Sequence, residues 1–329
     1  MPWLPWFLLA LTVSTAPQSN PVAASFAGGA LFVWNEAGSL RAGIYRPPQP
    51  IAKTIALPGD RCAIAPADDF ALLLCAMPDS SVIAVRIDPN GDEIPARKTI
   101  PLPAPVSVSW NGSKFLVASV DRVGQITNRL FDRDLDPIGP SHWVFRFSPN
   151  PIAVQIGTVG NRFLYVIEET WRPNCGFECP TPGADVHVQP LDADGNPLSE
   201  VVVTDHGWMP RVATDGSALA LVWTEFPRAG IRARRIAADG TLLGDEVAIA
   251  GGDADTPRVV WDGRLFDVSF RGSLARLNPQ LATLSLLKDS GPPPAEMVVA
   301  SDRVVRAYII DGRIVLDELP LTRRHAAAR

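Results

Sequence analysis

Short apolar runs of four to eight residues, rich in Val, Ile and Phe, follow one another along almost the whole chain, broken by Asp-Gly, Asn-Gly and similar pairs. Such runs read as β-strands joined by tight hairpins, because Gly, Asn and Asp accept the positive φ these turns need. No helical periodicity of comparable length follows the first residues. The runs are also ordered. PRVATDGSALALVWTE followed by IRARRIAADGTLLGDEVAIA, over 210–250, is the clearest copy of a unit that recurs.

The first half returns as APVSVSWNGSKFLVASVD from 104, NPIAVQIGTVGNRFLYVIEE from 150 and TPRVVWDGRLFDVSF from 256. More degenerate copies are NPVAASFAGGALFVWNE from 20, RCAIAPADDFALLLCAMPD from 61 and AEMVVASDRVVRAYIID from 295. The second half returns as VIAVRIDPNGDEIP, ITNRLFDRDLDPIG, VHVQPLDADGNPLS and SLARLNPQLATL. Seven copies thus start near 22, 62, 106, 152, 210, 257 and 295, at spacings of 40, 44, 46, 58, 47 and 38. Four short antiparallel strands every 40 to 50 residues make one blade of a β-propeller. The expectation is an all-β ring of about seven four-stranded blades over 20–323, six blades being the nearest alternative, with a disordered tail at 324–329. A row of β-sandwiches would reset its turn spacing every seven or so strands, and this chain does not. Ring closure is the open point: Leu319 to Arg323 must supply the last outer strand, or the seventh blade keeps three.

The pattern P-x-V-A-x-D/N-G-x-x-x-L-V-W, then I-x-A-R-R-I-x-x-D-G-x-x-L, resembles propeller-type repeats of secreted bacterial proteins without an assigned function. The resemblance spans nearly all of the chain after residue 20 and is sharpest in the fifth copy. It implies the fold and an extracytoplasmic setting, and it transfers no catalytic residue. Neither the S-x-D-x-G-x-T-W box of sialidase-like propellers nor the Gly-His and Trp-Asp signature of WD-repeat propellers is matched.

The start of the chain fits that setting. Residues 1–35 carry no charge, and Trp3 to Leu11 form an apolar block followed by the small and polar Thr12 to Ala16. The block is too short for a membrane-spanning helix, which takes about 20 apolar residues, and fits a secretory signal peptide over 1–16 cleaved after Ala16. Pro2 and Pro5 argue against a buried strand there. Cys62 and Cys75 flank a turn, and Cys175 and Cys179 share the loop WRPNCGFECPTPG. Pairing within each neighbourhood gives two local disulfides, as expected of a secreted or periplasmic protein. Neither pair has the Cys-x-x-Cys spacing of a zinc site, and no other pattern implies a metal or cofactor. A net charge of −5 argues against a nucleic-acid surface.

Blade geometry sorts the polar residues onto two faces. Turns between strands 1 and 2 and between 3 and 4 share one face, which is uniform: Asn111-Gly112, Asp215-Gly216 and Asp262-Gly263, then Asn90-Gly91, Asp194-Gly195 and Asp239-Gly240. LDADGNP, with Asp192 and Asp194, reads as one of these turns rather than a calcium loop, which needs more oxygen ligands and a distal Glu. The other face carries the 2–3 loops and the blade connections and varies in length, as binding loops do. Glu36, Asp79, Asp121, Glu168, Glu169, Glu225 and Asp311 would form a broken acidic ring there, with Arg271 in the sixth copy. The copy-four insertion, the connection DHGWMP and the loop EFPRAG add Trp171, Arg172, His206, Trp208 and Arg228. Glu169, Trp171, Arg172, His206, Trp208, Glu225 and Arg228 are therefore the candidate ligand-binding residues, since Trp and Arg anchor most binding surfaces. The competing reading has Trp171 and Trp208 plugging gaps between blades, and the acids as ordinary strand-end charges.

An enzyme is the alternative class. Glu36, Glu169 and Glu225 offer carboxylates that could pair for glycoside hydrolysis, but no G-x-S-x-G elbow is present, and His142, His187, His206 and His325 have no persuasive nucleophile beside them. A binding or scaffolding module, taking a glycan or a protein surface, needs only a rigid disc with one variable face. A structural envelope module is the third reading. It would call for an apolar outer rim, whereas outer strands such as LLGDEVAIA alternate or carry charge.

Overall fold

The computed structural model describes residues 11–12, 21–104, 106–121, 125–144, 153–171, 183–225, 230–271, 273–288, 294–310 and 313–321. Apart from β1 (Leu11–Thr12), the strands fall into consecutive groups. Blade one is β2 (Val22–Phe26), β3 (Gly29–Glu36), β4 (Ser39–Tyr45) and β5 (Ile55–Ala56). Blade two is β6 (Arg61–Pro66), β7 (Ala71–Ala76), β8 (Val82–Ile87) and β9 (Glu93–Ile100). Blade three is β10 (Val106–Trp110), β11 (Phe115–Val120), β12 (Ile126–Phe131) and β13 (Pro137–Val144). Blade four is β14 (Ala153–Val159), β15 (Arg162–Trp171), β16 (Gly183–Pro190) and β17 (Val201–Thr204). Blade five is β18 (Gly207–Thr214), β19 (Leu219–Glu225), β20 (Gly230–Ile236) and β21 (Leu242–Gly251). Blade six is β22 (Arg258–Trp261), β23 (Phe266–Phe270), β24 (Ser273–Leu277) and β25 (Thr283–Lys288). Blade seven holds β26 (Glu296–Ala300), β27 (Arg303–Ile310) and β28 (Arg313–Pro320).

Every sheet is four-stranded and antiparallel; six are meanders of consecutive strands, and the seventh runs β1-β28-β27-β26. Each innermost strand lies beside that of the next blade, and β26 lies beside β2, so the seven blades close a ring. The chain is a seven-bladed β-propeller. Closure differs from the expectation: Leu11 and Thr12, not Leu319 to Arg323, pair with Leu316 and Val315 as the outer strand of blade seven. These two residues lie inside the segment read as a signal peptide. A chain cut after Ala16 would lack them and keep β26–β28 alone in that blade.

Turn chemistry explains why the repeat folds this way. In the Asp215-Gly216 turn, Gly216 has φ +87, and the Asp215 carboxylate accepts the amides of Ser217 and Ala218. Asn111 and Asp262 do the same in their turns. In the loop considered for calcium, Asp192 accepts the Asp194 and Asn196 amides, so its oxygens serve the turn. The second strands are buried on both faces, as β7 and β19 show, because each lies between two neighbours within its blade and between two adjoining blades.

The core is seven apolar seams, one between each pair of neighbouring blades. Trp34, Phe32 and Tyr45 fill the seam between blades one and seven, and Trp223 fills that between four and five. The seam between six and seven is the smallest, with Leu274, Met297 and Val304 buried. Ionic groups share it: Asp267 is fully buried against Arg276, whose guanidinium reaches the Pro320 carbonyl of blade seven. Blade seven holds a similar cross-strand pair, Arg306 with Asp317.

Cys62 and Cys75 face each other across β6 and β7 and form a disulfide. Cys175 and Cys179 lie outside the described residues. Outer strands carry a register shift against the third strand in blades two to six, which bends the exposed edge. One outer strand departs from the expected polar pattern. All six residues of β25 are exposed, including Leu284, Leu286 and Leu287.

Candidate functional site

The face carrying the 2–3 loops is most elaborate over blades four and five. The β15–β16 hairpin stays paired up to Trp171 and Gly183, the residues that flank the copy-four insertion. Arg172 in that insertion and Arg228 in the next 2–3 loop lie outside the described residues, and of Trp171 only the backbone pairing is described. The connection from β17 to β18 runs beside the hairpin, with His206 bridged to Ala184.

Gly207 makes that approach possible. A Cβ there would lie 2.5 Å from Thr204, 2.7 Å from Val186 and 3.0 Å from Trp223. The next residue, Trp208, pairs with Thr224, but Arg211 pairs with Val222, so β18 holds one extra residue between them. Met209 absorbs this bulge with φ +54 and donates its amide to Glu168 at 3.3 Å. The bulge re-aims the strand and leaves Trp208 41% exposed beside the exposed His206. Trp208 is therefore on the rim, while the gap-filling indole of this seam belongs to Trp223, which is 1% exposed.

The acids of the supposed ring are mostly engaged locally. Glu225 takes two donors from Arg232, at 2.8 and 2.9 Å. Asp79 binds Ser81, Asp121 accepts the Gln125 amide, and Arg271 pairs with Asp255 at 2.9 Å. Glu36 lies 3.8 Å from Arg41. Glu168 is buried, and burial holds its carboxyl above the ordinary range against the Met209 amide and the Arg211 charge. Glu169 and Asp185 each lie 3.8 Å from His187 Nε2, while Glu200 lies 2.7 Å from its Nδ1. Burial raises the Asp185 pKa, and the nearby Asp205 and Glu169 charges add to this.

Sequence reading placed the first strand of each blade along a central channel but did not single out Arg211 and Arg258 in its wall. A cavity of about 760 Å3 opens between blades one, four, five, six and seven, with Val22, Gln155, Arg211, Arg258, Trp261 and Glu296 in its wall. Arg211 and Arg258 sit at matching places on the adjacent strands β18 and β22, each four residues before the turn aspartate, Asp215 or Asp262. Arg258 gives Nε to the Ala295 carbonyl and Nη1 to that of Pro257, both at 2.9 Å. Arg211 gives Nη1 to the Pro210 carbonyl at 2.7 Å. Glu296 comes no nearer to Arg258 than 3.9 Å and accepts the Met297 amide instead. Burial, reinforced by the Arg211 charge, lowers the Arg258 pKa to about 10, and burial raises that of Glu296. The signal was present in the sequence. Copies five and six read Pro-Arg-Val at the head of the inner strand, where copies one and three read Pro-Val-Ala and Pro-Val-Ser.

No protein-family model matches this chain. No curated protein matches it in sequence. Solved structures do resemble it. The β-propeller domain of the Trilobed protease from Pyrococcus furiosus, described as having an open velcro topology, is 15% identical with a TM-score of 0.60, covering 95% of this chain and 99% of that one. The WD40 domain of Toxoplasma gondii coronin is 12% identical with a TM-score of 0.60, covering 97% and 87%. The Cps50 (Swd1) propeller domain of Myceliophteria thermophila is 11% identical with a TM-score of 0.57, covering 94% and 99%. At these identities the likeness is one of fold: the chain is similar to these propeller and WD40 domains in architecture alone.

Proposed function

We propose that this protein is an extracytoplasmic binding or scaffolding propeller that takes its ligand, a glycan or a protein surface, on the face carrying the 2–3 loops over blades four and five. The observation that carries this reading is the placement of Trp208. A glycine that admits no side chain and a bulged backbone hold this indole at the rim, beside His206. A large, rigid aromatic surface loses little entropy on binding and suits both sugar faces and protein anchors. Glu169, Trp171, Arg172, Glu225 and Arg228 complete the proposed surface, with Glu225 held in place by Arg232.

Titration of the chain with glycan and peptide panels tests this. Trp208→Ala is expected to weaken a bound ligand at least tenfold while changing stability by less than about 1 kcal/mol, because the side chain is exposed. Equal loss of stability and unchanged binding would return Trp208 to a packing role.

The extracytoplasmic setting rests on the apolar, uncharged start of the chain and on the Cys62–Cys75 disulfide. Among the described residues no helix is long and apolar enough to cross a membrane. Intact mass of the exported protein is expected to begin at Pro17. A mass retaining residues 1–16 would instead assign Leu11 and Thr12 permanently to blade seven.

A further inference from the structure

We propose that Arg211 and Arg258 form a receptor for one carboxylate group inside the central channel, the acid being carried by a small molecule or chain end with an otherwise apolar body. The site lies below the rim and stands or falls independently of it.

Other arginines of the described residues hold a carboxylate closely, while Arg86, with its side chain 19% exposed, stands 3.6 Å from Asp134. Arg232, Arg235 and Arg276 hold a carboxylate oxygen at 2.8, 2.9 and 2.8 Å, and Arg306 holds one at 2.9 Å. That is the length of a charge-assisted bond. Arg258 is as enclosed as Arg276, at 14% against 16% side-chain exposure, yet its nearest carboxylate stands off at 3.9 Å. Arg211 has no ion pair within 4 Å among the described residues. Each guanidinium carries five N–H donors. Carbonyls take two from Arg258 and one from Arg211. Both guanidinium groups thus keep further donors, in a cavity whose wall is largely apolar, with Val22, Val260, Trp261 and Met297, and also holds Gln155 and Glu296.

Two like charges on adjacent strands lining one channel repel one another, and the Arg211 charge adds to the lowering of the Arg258 pKa by burial. An anion placed between the two forks relieves it and accepts their open donors. The ligand's charge is limited by Glu296 in the same wall, and by Glu168, whose carboxyl acts on Arg211 from blade four. A second negative charge would meet these acids. A single carboxylate on an aliphatic or aromatic body therefore fits better than a dianionic phosphate.

The test is calorimetric titration of the full chain with N-acetyl-alanine and with 3-phenylpropionate, each against its neutral amide, and with inorganic phosphate. At least one acid is expected to bind tenfold or more tightly than its amide. Arg211→Gln and Arg258→Gln should each weaken that binding at least tenfold and leave the melting temperature unchanged or raised, since each removes a repelling charge. Trp208→Ala should leave acid binding within twofold, which separates this site from the rim. Binding of N-acetyl-alanine alone points to a chain-terminal carboxylate, and of 3-phenylpropionate alone to a free aromatic acid, and both outcomes support the receptor. Acid and amide binding alike, neither acid binding, phosphate binding most tightly, or indifference to both substitutions would overturn it. The acid–amide comparison uses the unaltered chain, so the proposal stays testable even if a variant fails to fold.

Discussion

Trp223→Ala is expected to lower the unfolding free energy by about 3–5 kcal/mol, the usual cost of emptying a large aromatic site in a core. Trp223 is 1% exposed and is the largest side chain in the seam between blades four and five. Its neighbours come from both blades: Val186, Val188 and Val203 on one side, Leu219 and Leu221 on its own. A ring of rigid sheets has little freedom to collapse onto the void, so the upper half of the range applies. With an unfolding entropy of about 2.1 cal/mol/K per residue, a loss of about 4 kcal/mol in a chain of 329 residues lowers the melting temperature by about 6 °C. The substitution also removes one wall of the slot that Gly207 occupies. Loss of order in the connection that carries Trp208 is therefore expected, and rim binding should weaken as a secondary effect. Thermal melts and ligand titration of Trp223→Ala and Trp208→Ala, side by side, separate the two indoles. A change below 1 kcal/mol in Trp223→Ala would show that the seam is not a packed core.

The contrast between those two residues shows what the sequence discloses. Asp215-Gly216 and its counterparts declare their turns locally, because a carboxylate that caps its own turn and a glycine at positive φ need no distant partner. Blade number follows from counting such turns, and the number seven was legible. Trp208 and Trp223 lie fifteen residues apart in one repeat copy, and which indole is buried depends on a bulge at Met209 that no pattern announces. The acidic ring read from strand ends dissolves for a related reason: Arg232, Ser81 and Gln125, which engage its members, are themselves local but unremarkable in sequence. Arg211 and Arg258 were hidden by resemblance. They fit the repeat pattern so well that their departure from the Val of other copies read as consensus. Closure by Leu11 and Thr12, and the exposed leucines of β25, depend on pairing or exposure at the sheet margin and leave no local trace.

Asp267→Ala is expected to cost about 3 kcal/mol at neutral pH, because it strips the partner from a charge held in the seam between blades six and seven. Asp267 has no exposed surface, takes the Arg276 Nε at 2.8 Å on one oxygen, and has no hydrogen-bond donor on the other. Arg276 keeps the Pro320 carbonyl and 16% exposure, which places the loss at the lower end of the range for buried pairs. Burial raises the Asp267 pKa to about 6 in spite of the arginine. The sign of the pH effect follows. Between pH 4 and 6 the unfolded chain has released this proton while the folded chain retains it, so folding binds a proton, and stability falls as pH rises through that window. Above about pH 6 the cost is fully present. Asp267→Asn removes the titration while keeping an acceptor for Arg276. The stability advantage of the native protein over this variant should therefore shrink by up to about 3 kcal/mol from pH 4 to pH 7, at about 1.4 kcal/mol per unit of displacement. Denaturant unfolding of both proteins across that range isolates the effect, since every other carboxylate contributes equally to the two curves. A difference that stays flat with pH would mean that Asp267 is ionised throughout and that Arg276 outweighs its burial. The seam would then be held by a full ion pair, and its small apolar content would need no other compensation.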